Sequence, residues 1–191
     1  GTEDQKQVYL SKMTEGTWTG TMCMTESHCG SDLGLIRSSA TSTGDGHFTI
    51  KGNKIFISAG SQDASDNIIH LVLAKLPDAP AGSRGISLFL VPRNTVDDNG
   101  VVGENNNVTC GSIEHKMGIK ASATCVMNFE GAKGWLVGEP NQGLKCMFTM
   151  MNAARIMVGI QGLGLAETGY QVSLNFAKDR LQSRSLSGAK E

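Results

Sequence analysis

Thr25, Gly30 and Ser31 carry the side chains and backbone on which a binding chemistry could rest. An apolar, strand-like lead from Trp18 to Thr25 runs into a polar loop closed by Gly30-Ser31-Asp32. Such a junction offers main-chain N–H and C=O groups and the Thr25 and Ser31 hydroxyls to something flat and polar-edged. Gly30 leaves room for a backbone that must come close. Residue types alone fit a binding loop and a capped turn equally well. A second candidate is Phe56-Ile57-Ser58, where strand alternation reads Phe56 as a core residue or as an aromatic face for a ligand. Cys29 has no base in view and is not assigned as a nucleophile. Asn152, Arg155 and Arg180 fall in a helical stretch, where an arginine taken alone reads as solvated or ion-paired. Gly159-Ile-Gln-Gly162-Leu-Gly164 has the wrong glycine order for a dinucleotide loop and follows no strand, so it reads as a glycine-rich helix face.

The elements that must position these residues follow from periodicity. Thr2 to Met13 predicts a short amphipathic helix with Thr2 as N-cap and Val8, Leu10 and Met13 as its apolar side, ended by Gly16. Strands are predicted at Trp18–Thr25, Ile36–Thr43, His47–Lys51 and Lys54–Ala59, with a hairpin turn at Thr43-Gly-Asp-Gly46 and another turn at Gly52-Asn53. Ile68–Leu76 and Ile86–Val91 are near-continuous apolar runs suited to central strands. Val108–Glu114, Cys125–Glu130 and Gly134–Val137 complete the strands, with polar turns at Asp97–Gly100 and Glu104–Asn107. From about Leu144 to Ser183 the period becomes helical, through Met147, Met151, Ala154, Val158, Leu165 and Val172. The expected fold is mainly β with α: an antiparallel β-barrel or sandwich domain followed by one long helix of a truncated helical bundle.

Composition excludes several classes. The chain has 191 residues, enough for a sizeable core, and a net charge of −1 with no long basic run. That leaves no electrostatic footprint for nucleic acid. No apolar stretch approaches the roughly 20 residues of a membrane span, and Gly1 to Lys6 does not read as a signal peptide. Five cysteines without Cys-x-x-Cys spacing support neither a disulfide framework nor a zinc site, and the four histidines sit in no metal-ligand spacing. No metal is expected, and reduced thiols point to the cytoplasm.

Thr25-Glu26-x-x-x-Gly30-Ser31-Asp32 followed by Lys51-Gly-Asn-Lys54-Ile-Phe56-Ile57-Ser58-Ala-Gly60 resembles the acyl-CoA dehydrogenase family. The usual family forms are Thr-Glu-Pro-x-x-Gly-Ser-Asp and Gly-x-Lys-x-Trp-Ile-Thr-Asn. Ser27-His28-Cys29 departs from the first form, and Phe56 and Ser58 replace Trp and Thr in the second. Lys116-Met-Gly-Ile-Lys-Ala-Ser122 is similar to a third family motif, a turn in the barrel. Asp179-Arg180-Leu-Gln-Ser-Arg184 resembles a subgroup with extended C-termini that includes methylthiopropionyl-CoA dehydrogenases.

The resemblance implies an FAD-dependent α,β-dehydrogenation of an acyl-CoA thioester in fatty acid metabolism. It implies that Met22, Met24, Thr25, Gly30, Ser31, Phe56, Ile57 and Ser58 contact the flavin, and that Arg180 reaches the flavin pyrophosphate of a neighbouring subunit. Ser31, Asn152 and Arg155 are implied at the acyl-CoA, Asn152 standing where the family has an acid. No catalytic residue is assigned, because the family's glutamate base lies in the C-terminal bundle beyond Glu191. The implied domains are 1–16, the end of an N-terminal helical domain; 17–138, the flavin- and acyl-CoA-binding barrel; and 139–191, the first long helix of a C-terminal domain. The chain is thus expected to be a fragment, inactive alone, of a homodimer or homotetramer that passes electrons to electron-transfer flavoprotein or a similar acceptor. An acyl-CoA oxidase, or a family member recruited to alkylation response and nucleic-acid binding, are the alternatives.

Overall fold

Hydrophobic runs without alternation become strands covered on both faces, and two such runs form the centre of this fold. In the computed structural model, which describes residues 1–180 and 182, β4 (Asn67–Lys75) and β5 (Ile86–Pro92) pair antiparallel, and every residue of β5 is buried. β1 (Trp18–Cys23) runs parallel to β4, from Trp18 opposite Asn67 to Cys23 opposite Val72. β2 (Ser39–Ser42) meets the same edge of β4 further along, at Ser39 and Lys75. β3 (Phe48–Ser58) pairs antiparallel with β2 and with β9 (Thr124–Val137), and β9 returns to β5. Pairings therefore run β4–β2–β3–β9–β5 and back to β4, a closed circuit with no free edge along it. β8 (Val108–Ile113) lies beside the first half of β9, and β6 (Asn94–Val96) and β7 (Val102–Asn105) form a separate small hairpin.

The architecture is the expected one, mainly β with a long helix, except that the pairing is not antiparallel throughout, since β1 and β2 run parallel to β4; the other differences are local. Gly52-Asn53 is not a turn: β3 runs through it, and a bulge between Ile50 and Lys51 absorbs the irregularity. Gly52 sits at φ +151, and a Cβ there would overlap the Ser38 side chain, so the position requires glycine. Likewise Cys125–Glu130 and Gly134–Val137 are one strand, bent at Gly131 with φ +88. Asp97–Gly100 is a turn as expected, but it closes the β6–β7 hairpin, whose short strands carry no alternation.

Thr2 caps the N-terminal helix in a reciprocal pair with Gln5, and the helix passes from α1 (Glu3–Gln5) through a π-turn at Lys6–Leu10 to α2 (Ser11–Thr14). The wider turn shifts the inward face by one position. Tyr9 is buried, Val8 and Met13 pack beside it, and Leu10, expected on the apolar side, is exposed. Tyr9 packs with Trp18, Ile69 and Leu90, while the main core gathers Ile50, Ile57, Val72, Phe89, Val91, Met127 and Phe129. Each such fully buried side chain contributes roughly 1.5–3 kcal/mol.

The chain forms two compact units, one covering Gly1–Phe148 and the other beginning at Thr149. The helix α3 (Gly143–Asp179) contributes its first turn to the first unit. Gly143 is seated there against the Ser87–Leu88 backbone, where a Cβ would clash, and Met147 is fully buried. At about 1.5 Å per residue, 37 residues give a helix of roughly 55 Å. It ends before Arg180; the sequence boundary at Ser183 lies outside the described residues.

Candidate functional site

β1 is the element from which the candidate site grows. Strand alternation turns Cys23 into the core and sets Met22 and Met24, both half-buried, on the other face. Beyond Cys23 the chain leaves β4 and crosses to β3, where the Ile55 amide donates to Thr25 O at 2.9 Å. Glu26 and Cys29 then exchange main-chain hydrogen bonds of 2.9 and 3.1 Å around Ser27-His28, so a two-residue loop stands where the family pattern has proline. Cys29 is buried beneath this loop, 8% exposed. Gly30 and Ser31 follow and are exposed; a Cβ on Gly30 would lie 3.2 Å from the Thr25 methyl. Asp32 accepts from the Gly34 amide at 3.0 Å and so caps the next turn.

On the adjoining strand, the ladder between β3 and β9 slips between Lys54 and Ile57. Phe56 occupies that slip at φ +60, and Ala59 lies at φ +53. A left-handed conformation in an aromatic residue costs about 1–2 kcal/mol. Its effect is to turn the ring outward: Phe56 is 60% exposed in the middle of a barrel strand. Ser58 is exposed as well. Ile57 is different. Its side chain is 2% exposed and packs in the main core, so it presents only its backbone towards any ligand.

The two segments are joined by a buried ion pair that the sequence reading did not identify. Lys54 Nζ donates to Glu26 Oε1 at 2.8 Å and to Met24 O at 3.1 Å, with Lys54 fully buried and Glu26 5% exposed. The Ser38 hydroxyl (2.6 Å) and amide (3.0 Å) also donate to Glu26, as does the Arg37 amide (2.7 Å). Burial alone would raise the Glu26 carboxyl, but Lys54 and these hydrogen bonds outweigh it and hold its pKa at about 2. Burial lowers the Lys54 ammonium, opposed by Glu26. A signal was present in the sequence: alternation from Ile50 places Lys54 on the inward face, and an inward lysine requires an acceptor. Glu26, His28 and Cys29 bring one potential ligand atom each within 4.8 Å of one another. A metal ion there would have to share Glu26 with an ammonium that already occupies it.

Asn152 and Arg155 are exposed and three residues apart on α3, hence on one face of it. Arg180 is exposed just past the helix, with its guanidinium 5.6 Å from the centre of the Phe176 ring. The third motif is a turn between β8 and β9, tied by Lys116 Nζ donating to Ile119 O at 2.7 Å and Ser122 O at 2.6 Å.

The family described as "Acyl-CoA dehydrogenase, middle domain" matches residues 21–132. The chain is 49% identical to a 3-methylmercaptopropionyl-CoA dehydrogenase of Ruegeria pomeroyi over 189 residues, which is 99% of this chain and 32% of that protein. It is 41% identical to a butyryl-CoA dehydrogenase of Syntrophomonas wolfei, over 98% of this chain and 32% of the relative. The chain thus spans about a third of the length of these curated relatives. Among solved structures, butyryl-CoA dehydrogenase from Megasphaera elsdenii superposes with a TM-score of 0.76 at 31% identity, over 97% of this chain and 45% of that one. The family match contains both motif segments, and the chain belongs to the acyl-CoA dehydrogenase family, carrying its middle domain.

Proposed function

We propose that the protein containing this chain is an FAD-dependent acyl-CoA dehydrogenase that desaturates a short acyl-CoA thioester between its α and β carbons. The observation that carries this reading is Phe56: a ring held outward at φ +60 beside a strand end whose Thr25 main chain is fixed to Ile55. Strain of that kind persists where a site uses it. An exposed aromatic face adjoining main-chain donors and acceptors fits a flavin, and Gly30 leaves the clearance that a ligand approaching Thr25 needs.

When bound, the flavin supplies the hydride acceptor. Met22, Met24 and Thr25 would hold its edge, and Phe56 and Ser58 would supply an aromatic face and a hydroxyl to it, with Ile57 contributing only backbone. Gly30 and Ser31 continue towards phosphate and thioester. Asn152 and Arg155 meet the acyl-CoA, and Arg180, steadied on Phe176, offers a fork suited to a pyrophosphate. Glu26 is committed to Lys54 and does not serve as the base. Residues 1–16, 17–138 and 139–191 then correspond to the end of one helical domain, the binding barrel and the start of a second helical domain. The 49% identity to a 3-methylmercaptopropionyl-CoA dehydrogenase favours a short, thioether-tolerant acyl group. In this reading an electron-transfer flavoprotein or a similar acceptor takes the electrons onward. The five free thiols suit the cytoplasm.

The test is an absorbance spectrum of the full-length protein, titrated anaerobically with 3-methylthiopropionyl-CoA, butyryl-CoA and a long-chain acyl-CoA. Bleaching of a flavin band by a short thioester is expected. A protein that takes up no flavin from added FAD would overturn the reading.

A further inference from the structure

We infer that the Glu26–Lys54 pair is a positioning strut that sets the spacing of the two ligand-facing segments. This inference rests on the flavin reading above. Lys54 precedes the slip in β3 that turns Phe56 outward, and its ammonium reaches across to Met24 O at 3.1 Å and Glu26 Oε1 at 2.8 Å. Glu26 immediately follows Thr25 and is fixed from a third side by Ser38 and Arg37. One buried side chain pair therefore ties the end of β1, the Ser38 segment and the slip in β3. The one main-chain hydrogen bond between Thr25 and Ile55 lies next to it.

The pair is poorly explained as a stability device. Burying two charges costs several kcal/mol per ion, and apolar replacements of such pairs are often neutral or stabilising. What it supplies is direction. An ammonium donating to both a carboxylate and the Met24 carbonyl accepts a narrow range of separations, whereas methyl groups would accept many. Glu26 and Lys54 touch neither flavin nor thioester in this arrangement; they act through Met24, Thr25 and Phe56.

The experiment compares the full-length protein with a Glu26→Gln/Lys54→Met double variant, and with Glu26→Asp, which keeps both charges but shortens the reach. Hydrogen exchange on the flavin-free proteins reads the strut, and FAD titration reads its consequence. The double variant is expected to keep its melting temperature within a few degrees and the protection of β4 and β5. It should lose protection at the Ile55 amide and bind FAD roughly tenfold or more weakly. Glu26→Asp should show the same local opening to a smaller degree, and it carries the comparison if the double variant does not fold. Unchanged FAD affinity in a folded variant, whether or not Ile55 opens, overturns the inference. If the unaltered protein binds no FAD, the flavin reading fails. The exchange data then stand apart: opening confined to 24–31 and 54–58 supports the strut as an organiser of these segments, and none refutes it.

Discussion

Two residues make the stability of this domain depend on pH below neutrality: burial sets the sign for His70, and for Glu26 it is Lys54 and the hydrogen bonds, outweighing burial, that set it. His70 is fully buried, its Nδ1 2.7 Å from the Thr21 hydroxyl and its ring edge-on to Phe129, and burial, with Arg93 adding to it, lowers its pKa to about 3. Below the ordinary value of 6.5 an unfolded chain takes up a proton that the folded one refuses. Stability therefore falls as pH drops from 6.5 towards 3, at a limiting slope of about 1.4 kcal/mol per unit. Glu26 adds a second window: its pKa is depressed from 4.5 to about 2, so its contribution is present above 4.5 and is lost as pH falls towards 2. Urea unfolding at a series of pH values should show both. His70→Leu should flatten the curve between pH 6.5 and 4.5 and leave the lower window; a parallel curve would refute the assignment. Phe56 tests the strained site directly. Phe56→Gly removes an αL cost of about 1–2 kcal/mol and adds a glycine penalty of about 0.5–1 kcal/mol, and the ring it deletes is 60% exposed. Stability should stay within about 1 kcal/mol of the parent, while FAD affinity falls by roughly fivefold, the loss of about 1 kcal/mol of aromatic contact. Destabilisation by more than about 2 kcal/mol would mean that Phe56 is a structural residue.

Elements were legible where one physical rule governed them, and illegible where two rules competed. β4 and β5 are continuous apolar runs and were read within a residue or two. Asp45-Gly46 marked its hairpin correctly, because nothing else in the sequence contests that turn. Gly52 was misread because glycine between polar residues signals a turn, yet here it lets β2's approach at Ser38 press against β3 without interrupting it. Gly131 hid the continuity of β9 in the same way. The motif residues Thr25, Phe56 and Ser58 could be located from the sequence, but the outward aim of Phe56 could not. It depends on a ladder slip that residue types do not encode. The distinction between glycines can be measured. Gly52→Ala must place a methyl group into Ser38, whereas Gly46→Ala, at φ +89, meets nothing within 4 Å. Both carry a backbone cost of about 1 kcal/mol, but Gly52→Ala should lose a further 1–3 kcal/mol or so from overpacking. Equal unfolding midpoints for the two variants would show that Ser38 yields and that the contact is not tight.

For the molecule as a whole, the decisive feature is how α3 distributes its apolar residues. The sequence reading drew one stripe through Val158, Leu165 and Val172, and these are exposed at 64–69%. Ile156, Met157, Ile160 and Leu163 are exposed to a similar degree, and residues at these spacings extend well round the helix. A helix apolar over that much of its circumference belongs in an interior. Gly159, Gly162, Gly164 and Gly169 have nothing within 4 Å where a Cβ would stand, so among the described residues no close neighbour accounts for them. Each costs about 1 kcal/mol against alanine in a helix, an expense compensated when another helix approaches closely. The relatives, about three times as long as this chain, have room for such neighbours. Produced alone, the chain should therefore associate, burying α3 against its copies. Light scattering coupled to size exclusion would report oligomers at micromolar concentration. Ile160→Glu/Leu163→Glu should reduce them to monomer without altering the thermal unfolding of the β-rich unit, since neither side chain belongs to that unit. A monomer before substitution would mean that α3 is tolerated bare in water, and the case for partner helices would rest on the length of the relatives alone.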